Sequence, residues 1–128
     1  MTILRTALVV ALLNVTTLAQ QAPTASDASA VVAGPTASVY LVINNPTMYD
    51  SYVMSATSDV AGKVELYSAD KPVDNMTVAA YGSLTLKAGG MFLRLSDLKR
   101  DLKAGESIAV TLMTDGGVAI AATAVVKP

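Results

Sequence analysis

The 128-residue chain has no histidine, no cysteine and no tryptophan, and a single phenylalanine. Without imidazole or thiolate, one subunit cannot build the usual zinc sites, iron–sulfur ligation, thiol redox couples, or the Ser-His and Cys-His pairs of nucleophilic catalysis. Thioether sulfur is the one soft donor left. It comes from six methionines, one of them the initiator Met1, and a thioether is a neutral, weak ligand. Charge is sparse and mixed, nine Lys and Arg against ten Asp and Glu, and Lys99-Arg100 is the only adjacent cationic pair. Binding to a phosphate backbone needs clustered cations, so no nucleic-acid partner is expected. Long apolar runs are missing as well. The longest, Ala7 to Leu13, is too short to read as a membrane span.

That run has another reading. Arg5 ahead of it and Thr17-Leu18-Ala19 behind it make residues 1–19 an export signal cleaved before Gln20. The mature chain is then expected to be periplasmic or secreted, without a transmembrane segment. Residues 20–28 are small and polar and read as a flexible lead, with an edge strand expected around Ser29 to Ala33 before Gly34-Pro35 turns the chain. Residues 29–128 form one domain. It must stand on its packing, since the chain has no disulfide to assist it.

From Val39 onward the apolar residues recur mostly at a period of two, broken by glycine, asparagine and proline at short intervals. This predicts an all-β, cupredoxin-like or immunoglobulin-like antiparallel β-sandwich of about seven or eight strands. In the segment 63–67, Val64 and Leu66 take one face, and Lys63, Glu65 and Tyr67 the other. In 91–96, Met91, Leu93 and Leu95 point inward and Phe92 and Arg94 outward. Asp70 to Asn75 reads as a loop, and Asp115-Gly116-Gly117 as a hairpin turn into a last strand.

Three stretches carry a resemblance: Val60-Ala61-Gly62-Lys63-Val64-Glu65-Leu66-Tyr67, Leu84 to Leu95 with its Ala88-Gly89-Gly90 turn, and Asp97 to Gly105. Together they resemble the bacterial periplasmic copper chaperones of the PCu(A)C family (DUF461-like), over roughly residues 29–126. The resemblance implies a cupredoxin-like sandwich and a Cu(I) cargo held by two histidines and two methionines, destined for the copper centre of cytochrome oxidase. It also implies where those ligands belong. Tyr67 stands where the first histidine is expected, and Phe92 and Arg94 stand in the closing His-x-Met pair. No methionine lies between Ser68 and Asn75, where the loop is shortened.

The ligands of the resembled family are therefore missing, and no cofactor is expected. Met48, Met54 and Met91 are the candidates for a replacement thioether site for Cu(I), alone or shared with a partner, while Met54, Met76, Met91 and Met113 have the simpler reading of core filling. Tyr67, Phe92 and Arg94 are the candidates for a protein contact, for which aromatic and arginine side chains are favoured. The acids Asp70 and Asp74, and Asp97 and Asp101, have no signalled partner that would separate their proton affinities, so no enzyme is expected. The function expected is that of a degenerate member of the chaperone fold, a monomer or weak dimer, acting as a protein-binding or structural module. Its partner would be a periplasmic or membrane copper-handling protein. The alternative is a metallochaperone using the other methionines.

Overall fold

A computed structural model describes residues 22–128, so the export signal expected over residues 1–19 lies outside the described residues. Among the described residues every regular element is a strand: β1 (Thr24–Ala33), β2 (Thr36–Asn44), β3 (Ser51–Ser58), β4 (Ala61–Ser68), β5 (Lys71–Pro72), β6 (Met76–Val78), β7 (Ser83–Thr85), β8 (Met91–Leu98), β9 (Ser107–Thr114) and β10 (Ala119–Val126). No helix among the described residues is long and apolar enough to cross a membrane.

The strands run β5-β4-β8-β2-β1-β10-β9-β3-β6, with β7 on β2, and a β3–β4 pairing at Ser58–Ala61 closes the path. The result is a cupredoxin-like barrel of seven strands with three short strands added at its margins. The count exceeds the seven or eight expected because β1 adds a full strand ahead of those read from Val39 onward and β5 forms in a segment read as loop.

β1 departs most from expectation. Thr24 to Ala28, placed in the flexible lead, are already strand, and β1 is an inner strand rather than an edge: antiparallel to β2 on one side, parallel to β10 on the other. Its alternation is obscured by small side chains and by a bulge between Ser26 and Ser29, where Asp27 adopts φ 53°. The parallel partner of Ser29 is Val125, almost a whole domain downstream, which no local pattern can announce.

Alternation elsewhere does what the sequence predicts. Ala37, Val39, Leu41 and Ile43 of β2, Leu93 and Leu95 of β8, Ile108, Val110 and Leu112 of β9, and Ile120 and Ala124 of β10 fill the barrel. Met76 is buried with them, and Met91 packs partly against the same core. Met113 is only half-buried, and Met54 is not core at all, being 47% exposed. The cause is a bulge: Val53 pairs with Thr114 and Ser55 with Met113, which leaves Met54 as the extra residue and gives Val53 to Ala56 the order in, out, out, in. The β9–β10 hairpin forms as expected, closed by Gly117 at φ 80° donating to the Thr114 carbonyl at 3.0 Å.

Candidate functional site

β4 and β8 pair antiparallel with Tyr67 opposite Phe92 and Glu65 opposite Arg94. These four residues alternate with the buried Leu66, Leu93 and Leu95, so their side chains leave the barrel wall on its outer surface. The Tyr67 and Phe92 rings stack at 5.4 Å between centroids, 25° from parallel. The Arg94 guanidinium carbon lies 5.3 Å from the centre of the Tyr67 ring, a diagonal cross-strand contact of cation–π type. All three residues singled out from the sequence thus meet, each half-buried.

A fourth member was not foreseen. Tyr40 on β2 meets Phe92 edge-on, with centroids 6.3 Å apart and planes at 62°. Its parity between the buried Val39 and Leu41 marks it as outward, but only the β2–β8 pairing at Ala37–Leu95, Ser38–Arg94 and Val39–Leu93 brings it beside Phe92. The same row continues through Ser29, which pairs with Tyr40 on one side and with the exposed Val125 on the other. A strip of aromatic, small and apolar side chains therefore crosses β4, β8, β2, β1 and β10.

The charges around this strip are unevenly matched. Glu65 sits across from Arg94 in the ladder, yet its carboxylate lies 3.8 Å from the Lys63 ammonium, an exposed pair worth little. Among the described residues Arg94 has no carboxylate partner, and its positive charge rests on the ring face alone. A phenyl ring offers no lone pair, and a guanidinium is a permanent cation with no acceptor. Among the described residues no cluster of three or more Asp or Glu side chains is arranged to hold a metal ion.

The three alternative thioethers are carried by different parts of the fold. Met48 is 62% exposed in the loop between β2 and β3. Met54 stands at the β3 bulge, beside a groove of about 300 Å3 shared with Glu65, Pro72 and Asp74. Met91 faces the core at the start of β8, opposite Ser68. Loop, outer wall and core are three different surroundings.

One residue the sequence reading passed over organises the loops near this wall. Asn45, read only as a strand stop, is 2% exposed. Its Nδ2 donates to the carbonyls of Tyr49 at 2.8 Å, Val78 at 3.1 Å and Ala79 at 3.3 Å, and its Oδ1 accepts from the Thr47 amide at 3.1 Å and the Thr47 hydroxyl at 2.6 Å. Asparagine ahead of a proline was a visible turn signal, but the long-range half of this network was not.

Compared with known proteins, residues 10–126 match the model of a family described as "Putative lipoprotein LpqE-like". Among solved structures, the chain is similar to the copper-bound PCuAC domain from PmoF2, with 16% identity and a TM-score of 0.73 over 80% of this chain and 90% of that one. It is similar to the apo PCuAC domain from PmoF1, with 22% identity and a TM-score of 0.66 over 84% and 92%. The copper(I)-bound DR1885 of Deinococcus radiodurans aligns at 27% identity and a TM-score of 0.68 over 82% and 76%. Among proteins of curated function, none matches the chain in sequence. The fold is that of the PCuAC copper-chaperone domain.

Proposed function

The chain belongs to the LpqE-like family, and on the PCuAC fold that it shares we propose that it is an exported protein-binding module whose copper position has become a contact surface. One observation carries this reading. At the positions where the resemblance expects His, His and Met, the side chains are Tyr67, Phe92 and Arg94, stacked on one another at 5.4 and 5.3 Å. These groups do not fit a soft cation. Phe92 has no donor atom, the phenol of Tyr67 is a poor partner for Cu(I), and the Arg94 charge repels any cation brought to the rim. They do fit a partner's apolar or acidic surface, because a ring stack capped by guanidinium offers large area, little loss of side-chain entropy and a directed donor.

The family description speaks of lipoproteins, whereas residues 1–128 contain no cysteine to which a thioether-linked lipid could attach. Export to the periplasm or to the cell exterior rests instead on the signal read in residues 1–19.

The test has two arms. Cu(I) is titrated into the purified domain against a strong competing chelator, and the domain is used as bait in periplasmic extract. The expected results are that the chelator takes the copper and that a captured protein is lost from the Phe92→Ser/Arg94→Glu variant. Submicromolar Cu(I) retention abolished by replacing Met48, Met54 or Met91 would overturn the reading in favour of a metallochaperone.

A further inference from the structure

Strands β3 and β4 are joined by a tight turn at Asp59-Val60, yet among the described residues they pair only at its closing rung, Ser58 with Ala61. Beyond that rung each strand keeps to its other neighbour, β3 to β9 and β4 to β8. The two part, and a groove of about 300 Å3 opens between them, with Met54 of β3 on one bank, Val64 to Leu66 of β4 on the other, and Val73 and Asp74 at the far end.

Two hydrogen bonds fix which way the backbone groups of β4 point. Ala69 donates to the Gly90 carbonyl at 2.9 Å, toward β8, whereas the Leu66 carbonyl accepts from Val73 at 2.9 Å on the opposite side. The register with β8 is unbroken from Lys63 to Ser68, so alternation turns the N–H and C=O of Val64, and the N–H of Leu66, away from β8 and into the groove. β5 would cover this edge if it were longer. It stops after two residues, at Pro72. Among the described residues no protein group pairs with these two donors and one acceptor, and in the free chain only water can satisfy them. The edge of β4 is thus guarded at both ends, by β5 and by the 59–60 turn, and open between them.

Such an array matches the backbone of another extended chain, which offers a donor and an acceptor on the same edge at every second residue. Side chains decide what kind of chain. In an antiparallel ladder, residues bonded to one another share a face, and the Val64 side chain packs against the core beside Val73. The residues bonded to β4 are therefore apolar. Their alternates fall on the outer face with Glu65. There Glu65 has only Lys63, at 3.8 Å, and Asp74 has no cationic partner among the described residues. Asp70 and Lys71 of the adjoining turn cancel, so the rim carries a net negative charge to which lysine or arginine is matched.

We propose that the open edge of β4 at Val64 to Leu66 is a strand-addition site, taking an extended segment of a partner protein in which apolar and basic residues alternate. The inference is independent of the contact-surface reading above, because it uses the edge of the strand and not its outer face.

The probe is the peptide acetyl-Val-Lys-Val-Lys-Val-amide, added to residues 20–128, the chain left by removal of the export signal, and followed by NMR. Without peptide, the amides of Val64 and Leu66 should exchange with solvent at least about tenfold faster than those of Glu65 and Tyr67, which face β8. Peptide should slow that exchange several-fold. Methylating its valine nitrogens should abolish the effect and methylating its lysine nitrogens should leave it, because the valines are the residues that bond to β4. Asp74→Lys should weaken binding several-fold, while Phe92→Ser/Arg94→Glu should not change it, which separates the edge from the wall. No response to the unmodified peptide, an equal response to the two methylated forms, or slow exchange at Val64 and Leu66 in the free monomer would overturn the proposal. So would protection that grows with protein concentration alone, which would place a second copy on the edge.

Discussion

Replacing Asn45 with alanine removes five hydrogen bonds from a site that is almost wholly enclosed. A net hydrogen bond is worth about 0.5–1.5 kcal/mol, and a buried group left without a partner costs about 1–3 kcal/mol. The bond to Val78 is buried and those to Tyr49 and Ala79 are partly so; at this enclosed site the loss comes to about 3 kcal/mol once the non-additivity of a shared network is allowed for. For a domain of this size that is a fall of roughly 12–24 °C in Tm, read by circular dichroism or calorimetry. Asn45→Asp separates the donor half of the network from simple loss of volume. It keeps Oδ1 for Thr47 but turns an acceptor toward three carbonyls, so an ionised carboxylate there is strongly disfavoured and its folded-state pKa must rise. A raised folded pKa means that the folded state binds the extra proton, so this variant should regain stability as pH falls, opposite to ordinary acid destabilisation. An Asn45→Ala melt within about 1 kcal/mol of the parent would refute the reasoning, showing that the network follows the loop geometry instead of holding it.

Leu93→Ala should cost about 2–5 kcal/mol by lost burial and residual cavity, because Leu93 is fully enclosed in the barrel. Phe92→Ser should cost less, about 1–3 kcal/mol, from two aromatic contacts on the outer wall, and urea unfolding of the pair of variants checks the ranking. The Glu106 carboxyl is held below the usual range, chiefly by the Lys103 amide at 2.7 Å and then by the Arg100 guanidinium at 2.6 Å. Its contribution is therefore present above the ordinary glutamate pKa and is lost as pH falls through the lowered one; Glu106→Gln should flatten that acid limb in denaturant titrations between pH 6 and 2 (~4 units). Restoring the expected ligands with Tyr67→His, Phe92→His and Arg94→Met should give only weak Cu(I) retention, since the shortened loop between Ser68 and Asn75 supplies no sulfur. Tight binding by that triple variant would show that the remaining donor comes from elsewhere.

The contact surface was legible in the sequence to the extent that parity determines it. Alternation in 63–67 and 91–96 placed Tyr67, Phe92 and Arg94 on one face, and a pleated strand leaves little freedom once the buried leucines are known. Tyr40 was not legible as their neighbour. Its contact depends on β2 lying beside β8, a pairing across about fifty residues that no local signal encodes. Met54 misled for a different reason: a bulge adds one residue to β3 and resets its parity, and nothing in Ser51 to Ser58 marks where that residue falls. β1 combined both difficulties, with a bulge at Asp27 and a parallel partner at the far end of the chain. Asn45 shows the limit from the polar side, since a turn former and the hub of a long-range network are the same letter.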